Sequence, residues 1–181
     1  DVITWAQSMN IEADSDYMLF GCYDCSKKNL KCRLSLSEVE AVVTSQCESG
    51  AYVDKLFTEA SNKRLDENQP ICSVCSASIC ISNQGNVYPC EGWQGYSVGS
   101  ILESSLLDIW RSSERVLMLR KLKLGDFPQC VSCDYIRYCS PCLYRNANEN
   151  SGDFHKVSPY FCKVAELQKR VVEQEICKRN N

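Results

Sequence analysis

The sequence CVSCDYIRYCSPC, residues 130 to 142, places four cysteines within thirteen residues in the spacing C-x2-C-x5-C-x2-C. Such a compact set of thiols has three ordinary uses in proteins: disulfide bonds, a structural zinc site and iron–sulfur ligation. Each use makes a different demand on the rest of the chain. The composition and the remaining cysteines therefore decide between them.

The chain is rich in cysteine and poor in features of other functional classes. It has 181 residues, of which 14 are cysteine, and a net charge of −3. The basic residues are scattered, so they do not form the positive patch of a nucleic-acid-binding protein. No apolar run has the length needed to cross a bilayer. We therefore expect neither a nucleic acid nor a membrane as a partner.

Disulfide bonds fit the cysteine spacing poorly. The form CxxC occurs four times, at Cys22/Cys25, Cys72/Cys75, Cys130/Cys133 and Cys139/Cys142. Two cysteines at this spacing bind metals or take part in redox chemistry more often than they bridge to stabilise a fold. The pattern therefore indicates metal or redox chemistry.

Zinc is the stronger alternative to an iron–sulfur cluster. A four-cysteine zinc site usually takes two CxxC pairs separated by a long loop, whereas five residues separate the two pairs here. A single histidine, His155, leaves little room for mixed ligation, and we interpret it as a surface loop residue. A cubane cluster accepts a compact run of cysteines together with a ligand from a distant segment. The ligands that such a cluster requires match the observed cysteine spacing better than those of a zinc site do, and zinc stays open as the alternative.

Local patterns predict several helices and one hairpin. The sequence SLSEVEAVVTSQCESG predicts a helix with Ser37 as its N-cap, Glu40 in a capping box and Gly50 just past its end. A second helix is expected over Tyr52–Ala60. The sequence ICISNQGNVYPC predicts a hairpin whose turn, Asn83 to Gly85, uses a glycine with positive φ.

The second half of the chain predicts further helices separated by loops. After a loop over residues 91–99, the sequence SILESSLLDIWRSSERVLMLRKLK predicts one or two amphipathic helices, which Gly125 and Pro128 would stop. Residues 140–162 are expected to form a loop. A final helix is predicted from Lys163 to about Lys178.

The remaining cysteines complete a larger order. Cys75 and Cys90 bracket Gly85 as C-x9-G-x4-C, then comes the compact run, and then the isolated Cys162. This order resembles the SPASM domain, the auxiliary-cluster domain at the C-terminus of many radical SAM enzymes, among them maturases of ribosomally made peptides. The segments NQGNVYPC and YSVGSILESSLLDIW are similar to that family's hairpin and to its glycine turn and helix. The resemblance covers about residues 72–162.

The resemblance implies two [4Fe-4S] clusters, each with four cysteine ligands. The first set would be Cys72, Cys75, Cys90 and Cys142, and the second set Cys130, Cys133, Cys139 and Cys162. Cys142 is thus expected to bind a different cluster from the three cysteines that precede it. Complete cysteine ligation leaves no open iron, which favours electron transfer or a structural role over direct binding of a substrate.

Two spacings depart from the family pattern. Cys139 and Cys142 are one residue closer together than is common, and the outermost cysteine of the first set usually stands farther upstream than Cys72. Cys80 is therefore a rival to Cys72 as a ligand.

The signature of the radical SAM core, C-x3-C-x2-C, does not occur in the sequence. Cys22, Cys25 and Cys32 have a different spacing, and we interpret them as small, partly buried residues of a reduced linker. Cys47 and Cys177 receive no role, and no residue is assigned to catalysis. The resemblance implies that the chain is the C-terminal part of a longer enzyme.

The longer enzyme would contain the partners that the resemblance implies. These are a radical SAM barrel in the same enzyme and, as substrate, a ribosomally made peptide or protein. S-adenosylmethionine and a third cluster are expected only in the full-length parent. The alternative to this electron-transfer and peptide-modification role is a structural zinc-binding module or a peptide-binding module without redox work.

These expectations define the predicted organisation. Residues 1–34 would be a linker from the radical SAM barrel, 35–70 a helical linker region, 71–162 the SPASM domain and 163–181 the C-terminal helix. We predict an α+β fold with few regular strands, in which a small hairpin and helices are organised around two iron–sulfur clusters. Oxygen-labile clusters and free thiols indicate a reducing cytoplasm.

Overall fold

Short helices and a small antiparallel sheet make up the protein in a computed structural model that describes residues 2–11, 16–47 and 50–180. The helices of these residues are α1 (Val2–Ser8), α2 (Leu36–Cys47), α3 (Gly50–Asn62), α4 (Leu106–Ser112), α5 (Glu114–Lys121), α6 (Pro128–Val131), α7 (Leu143–Glu149) and α8 (Pro159–Arg179). The strands are β1 (Cys80–Ile81), β2 (Asn86–Tyr88) and β3 (Gly99–Ser100), and 3-10 turns cover Lys28–Cys32, Leu124–Asp126 and Ile136–Tyr138. The predicted α+β class with few strands is confirmed.

The predicted hairpin forms the centre of the sheet. β1 pairs with β2 in antiparallel fashion, with Cys80 opposite Tyr88. Gly85 has a φ of 80°, which glycine adopts at no steric cost, as the predicted turn requires. β3 adds to the other edge of β2, with Asn86 opposite Ser100. The loop predicted over residues 91–99 is therefore wrong at its last residue, where Gly99 begins β3. A strand of this length is too short to show the alternation of apolar and polar residues that identifies a strand in a sequence.

The predicted start of the first long helix is wrong by two residues. The Ser35 hydroxyl accepts a hydrogen bond from the Glu38 backbone N–H at 3.3 Å, and the Glu38 carboxylate accepts one from the Ser35 backbone N–H at 2.8 Å. This is a capping box, but at Ser35 and Glu38 rather than at Ser37 and Glu40. Glu40 instead forms an ion pair with Arg170 of α8, at 2.8 Å. The pattern Ser-x-x-Glu occurs twice within residues 35–40, and only the tertiary contact of Glu40 separates the two.

Other predicted boundaries also differ from the structure. Gly50 begins α3, which includes the predicted helix Tyr52–Ala60, rather than following the end of α2. α5 ends before Gly125, and Pro128 starts α6, because proline lacks only an N–H that the first helical turn leaves unused.

Two further predictions fail in the loop expected at residues 140–162. α7 occupies Leu143–Glu149 within it, and α8 starts at Pro159 instead of Lys163. Cys162 therefore lies in the first turn of α8. None of the helices in the described residues combines the length and the apolar character that a bilayer crossing requires.

Two separate cores hold these elements. The first, which we call the aliphatic core, lies between α2, α3 and α8 and consists of Val39, Val43, Cys47, Val53, Val164, Leu167, Val171 and Val172. The second, which we call the cysteine-rich core, surrounds the sheet and α4 to α7. It contains apolar side chains such as Val87, Phe127 and Leu143, the buried Cys75 and Cys130, and the partly buried Cys72, Cys90 and Cys133.

Candidate metal centre

Three cysteines of the compact run are positioned by a series of tight turns. Cys130 lies in α6, where its backbone N–H donates to the carbonyl of Phe127 at 2.8 Å. The backbone N–H of Cys133 donates to the carbonyl of Cys130 at 3.2 Å, and that of Cys139 donates to the carbonyl of Ile136 at 3.2 Å. Each turn reverses the chain, so the three thiols come to surround a common space.

That space is a cavity of about 90 Å³. Cys130, Cys133 and Cys139 line it together with Cys162 from the first turn of α8, and Phe161 and Ala165 are part of its apolar wall. Burial raises the pKa of Cys130 to about 11, and the neighbouring Cys139, Cys162 and Cys133 contribute to this rise. The four thiols of the predicted second set are therefore close enough to influence one another; we call them the second cysteine group.

A first cysteine group forms beside the sheet. It consists of Cys72 and Cys75 before β1, Cys90 after β2 and Cys142, which is the N-cap residue of α7. Burial raises the pKa of Cys90 to about 11, and interaction with Cys142 and Cys72 contributes to this rise. The pKa of Cys72 is likewise raised by Cys142, and that of Cys75 by Cys72, in both cases after the larger effect of burial.

Cys142 stands between the two groups. Cys142 lines the cavity of the second group. The thiols whose pKa values it raises, however, are Cys72 and Cys90 of the first group. These two thiols are 70 and 52 positions away from Cys142 in the sequence. This arrangement supports the predicted crossing of Cys142 to the first set, and ligation itself stays a prediction.

Cys75 has an unusual backbone. Its φ is 57°, in the left-handed region that non-glycine residues seldom adopt, and its side chain is fully buried. The turn is fixed by the Cys75 backbone N–H, which donates to the carbonyl of Ser78 at 2.9 Å, and by three backbone N–H groups that donate to the carbonyl of Ser73. Backbone strain of this kind is concentrated at functional sites, where the surrounding contacts hold it in place.

The structure distinguishes the two rival residues Cys72 and Cys80 by position. Cys72 precedes the hairpin and interacts with Cys90 and Cys142. Cys80 lies in β1 opposite Tyr88. The placement favours Cys72 as the member of the first group.

Aromatic side chains cover the first group. Trp93, which is 3% exposed, stacks on Tyr96 with ring centroids 4.9 Å apart, and both pack in the same core as Cys90. Tyr144, which no sequence pattern singles out, forms a hydrogen bond with the side chain of Cys142, and burial raises its pKa to about 12. Its ring lies so close to Gly92 that a Cβ there would come within 2.7 Å of it. These rings limit the access of water to the first group.

Three cations near the cysteines were also missed by sequence reasoning. Lys63 donates to the carbonyl of Ile136 at 3.0 Å and to the carbonyl of Cys139. Arg145 donates to the carbonyl of Ser140, and Arg120 donates to the carbonyl of Cys75 at 2.8 Å. No local pattern could have indicated the contacts of Lys63 and Arg120 with these cysteine-bearing turns, because those partners are 45 or more positions away.

The other cysteines are distributed over the structure. Cys47 is buried in the aliphatic core, and Cys177 is exposed. The predicted partial burial is confirmed for Cys22 and Cys25 but is wrong for Cys32, which is exposed. His155 is exposed, as expected, and stacks on Phe127.

The geometry fits an iron–sulfur cluster in each group. Thiolates are the usual ligands of these clusters, and each group offers four buried or partly buried thiols. In the described part of the chain, no three His, Cys, Asp or Glu side chains converge closely enough to hold one metal ion. In a four-iron cluster each thiolate binds a different iron, so the ligands need not meet at one point. Burial raises the pKa values of six of these thiols, so their binding to a metal has to release protons: Cys72, Cys75, Cys90, Cys130, Cys139 and Cys162.

A comparison with protein families agrees with this interpretation. The family model of the SPASM domain, described as an iron-sulfur cluster-binding domain, matches residues 72–143. This part of the chain is therefore similar to the SPASM domain. The matched range includes all the cysteines of both groups except Cys162. No protein of curated function and no solved structure matches the chain.

Proposed function

We propose that this protein holds two [4Fe-4S] clusters, one in each cysteine group, and serves as an auxiliary electron-transfer module. The observation that carries the proposal is the division of eight cysteines into two groups of four whose thiols influence one another. Four thiolates match the four irons of a cubane. The SPASM domain supports iron–sulfur binding in general, and the two groups support the number two.

Complete cysteine ligation favours a role of the clusters in electron transfer or in stabilising the fold. When each iron already has a cysteine, the cluster has no open position for a substrate. Such a group supplies one-electron redox chemistry, and the surrounding residues hold the thiolates and limit water. At the first group, Trp93 and Tyr96 limit the access of water.

We further propose that the chain works beside a radical SAM barrel in one enzyme, in the cytoplasm, during modification of a ribosomally made peptide. The support is the resemblance of the cysteine order and hairpin to SPASM domains of peptide maturases. The sequence contains no C-x3-C-x2-C, so cleavage of S-adenosylmethionine would depend on the barrel.

Metal content tests the cluster proposal. Anaerobic reconstitution should give about eight irons, with matching sulfide, per chain. Cys142→Ser should damage the cluster that also depends on Cys90, and Cys162→Ser the cluster that depends on Cys133. Cys177→Ser, which changes an exposed cysteine outside both groups, is the control and should keep the full iron content. Stoichiometric zinc without sulfide would contradict the proposal.

Substrate class needs a separate test. The full-length parent, incubated anaerobically with S-adenosylmethionine and peptides encoded beside its gene, should change the mass of one of them. Activity only on a molecule that is not a peptide would remove the peptide-modification part and leave the cluster proposal standing.

A further inference from the structure

Two cations near the second cysteine group form no ion pair with a carboxylate in the part of the chain that the structure describes. Arg145 is 9% exposed and Lys63 is half-buried. Neither forms an ion pair among residues 2–11, 16–47 and 50–180. The groups around them are backbone carbonyls, the thioether of Met18 and the ring of Phe161, whose centroid lies 4.6 Å from the Arg145 guanidinium.

An unpaired charge in such surroundings is costly. Removing an ion from water costs several kcal/mol unless an opposite charge and hydrogen bonds compensate it. The same protein does compensate another buried cation: Arg33 forms an ion pair with Glu149, and both side chains are about one-tenth exposed. The absence of such a carboxylate beside Lys63 and Arg145 therefore indicates that a different anion belongs there.

Both cations contact the turn that carries Cys139. Lys63 donates to the carbonyl of Cys139, and Arg145 donates to the carbonyl of the adjacent Ser140. Arg145 also lines the cavity that is bordered by the four thiols of the second group. Arg145 thus borders the space assigned to the second cluster, and Lys63 contacts the backbone of Cys139 at the edge of that space.

We propose that Lys63 and Arg145 are the counter-charges of the cluster in the second cysteine group and that they raise its reduction potential. This inference rests on the proposed function. A four-iron cluster with four thiolates has a net negative charge, and one-electron reduction adds a further negative charge to it. Nearby cations in a medium of low dielectric constant stabilise the reduced form more than the oxidised form. Both residues are positioning residues, since neither is a ligand.

Potential measurements on reconstituted protein test the inference. Iron and sulfide content is measured first, and each cluster is then titrated by electron paramagnetic resonance at controlled potential. In Lys63→Gln and in Arg145→Gln, one reduction step should move to a more negative potential while the other step stays in place. The step that moves should be the one that disappears in Cys133→Ser.

Charge-retaining variants and a nearby surface cation are the controls. Lys63→Arg and Arg145→Lys should keep the potential close to that of the unchanged protein. Lys163 is adjacent to Cys162, but its side chain is 63% exposed and paired with Glu166, so Lys163→Gln should produce a much smaller shift. A shift as large as that of Lys63→Gln would contradict the role of burial.

The outcomes separate this inference from the proposed function. Protein that takes up no iron and sulfide contradicts the proposed function itself. Protein with both clusters whose potentials are unchanged in the two glutamine variants contradicts only the role of Lys63 and Arg145. If Arg145→Gln fails to fold, Lys63→Gln decides, because that side chain is only half-buried.

Discussion

The aliphatic core and the cysteine-rich core are built from different kinds of element. The aliphatic core joins helices of 12, 13 and 21 residues, and five of its valines are fully buried. The cysteine-rich core joins helices of four to eight residues and strands of two or three. Elements this short have little stability of their own, because nucleating a helix costs more free energy than the hydrogen bonds of a single turn contribute, and short isolated strands are likewise unstable. We therefore expect hydrocarbon packing to suffice for the first region and the second region to depend on what its thiols bind.

Removal of the metal should produce the largest difference between the two regions. In small metal domains the free energy of metal binding, on the order of 10 kcal/mol for zinc, is also folding free energy. In the iron-free protein we therefore expect fast amide hydrogen exchange over residues 72–143 and retained protection in α2 and α8. Exchange mass spectrometry of reconstituted and chelated protein measures both. Equal loss of protection in the two regions would show that they fold as one unit.

A matched pair of core substitutions comes next in size. Leu167 is 6% exposed in the aliphatic core, and Leu143 is 1% exposed in the cysteine-rich core, directly after Cys142. Replacement of either leucine by alanine should cost about 2–5 kcal/mol in the reconstituted protein. In the iron-free protein Leu167→Ala should keep its cost, whereas Leu143→Ala should lose most of it, because its surroundings are already disordered.

Denaturant unfolding measured with and without iron tests this pair. Tryptophan fluorescence, to which the buried Trp93 contributes, should report the cysteine-rich core, and far-ultraviolet circular dichroism should report mainly the long helices. Equal costs for Leu143→Ala in both states would mean that the cysteine-rich core packs without its clusters.

Sequence reasoning was most informative where spacing alone sets the structure. The turn at Gly85 depends on local geometry, so the hairpin could be predicted from the residues, whereas the two cysteine groups were expected from the resemblance of the cysteine order to the SPASM domain. α7 was missed because its sequence, LYRNANE, contains two asparagines, which favour turns. Contacts outside the helix hold it: the Asn146 and Asn148 amides donate to the carbonyls of Phe154 and Gly21 at 3.1 and 3.0 Å.

Charges near the cysteines were beyond the reach of sequence reasoning. Lys63 donates to the carbonyl of Cys139, 76 positions away, and lies in the predicted helical linker region. A lysine in a polar segment is ordinarily solvated, so its half-buried position follows only from the packing of α3 on the turn Ile136–Tyr138. Tertiary contacts of this kind leave no local pattern.

The turn of the hairpin gives a smaller prediction for the cysteine-rich region. Gly85→Ala should cost about 1–2 kcal/mol, because an alanine at positive φ brings its Cβ too close to the backbone. The new Cβ would also lie 2.9 Å from Leu102, but that side chain is 80% exposed and can move away. Gly85→Asn is the control and should cost less, since asparagine tolerates the left-handed region. The measurement is the free energy of unfolding in the iron-dependent transition. Equal losses for Gly85→Ala and Gly85→Asn would show that the contact with Leu102, rather than the positive φ, causes the destabilisation.

The smallest expected effect lies in the aliphatic region, at the start of α2. Ser35→Ala should cost about 1 kcal/mol, because it removes the hydroxyl that accepts from the Glu38 backbone N–H. Ser37→Ala is the matched control: both serines are polar residues two positions apart, but Ser37 lies inside the helix and is exposed, so a change within about 0.5 kcal/mol is expected. The cost of Ser35→Ala should be the same with and without iron, since α2 packs on α3 and α8 rather than on the cysteine groups. Thermal unfolding followed at the helix signal measures both variants. A larger cost for Ser37→Ala would return the capping box to Ser37 and Glu40, and a cost that changes with iron would mean that the two cores are coupled.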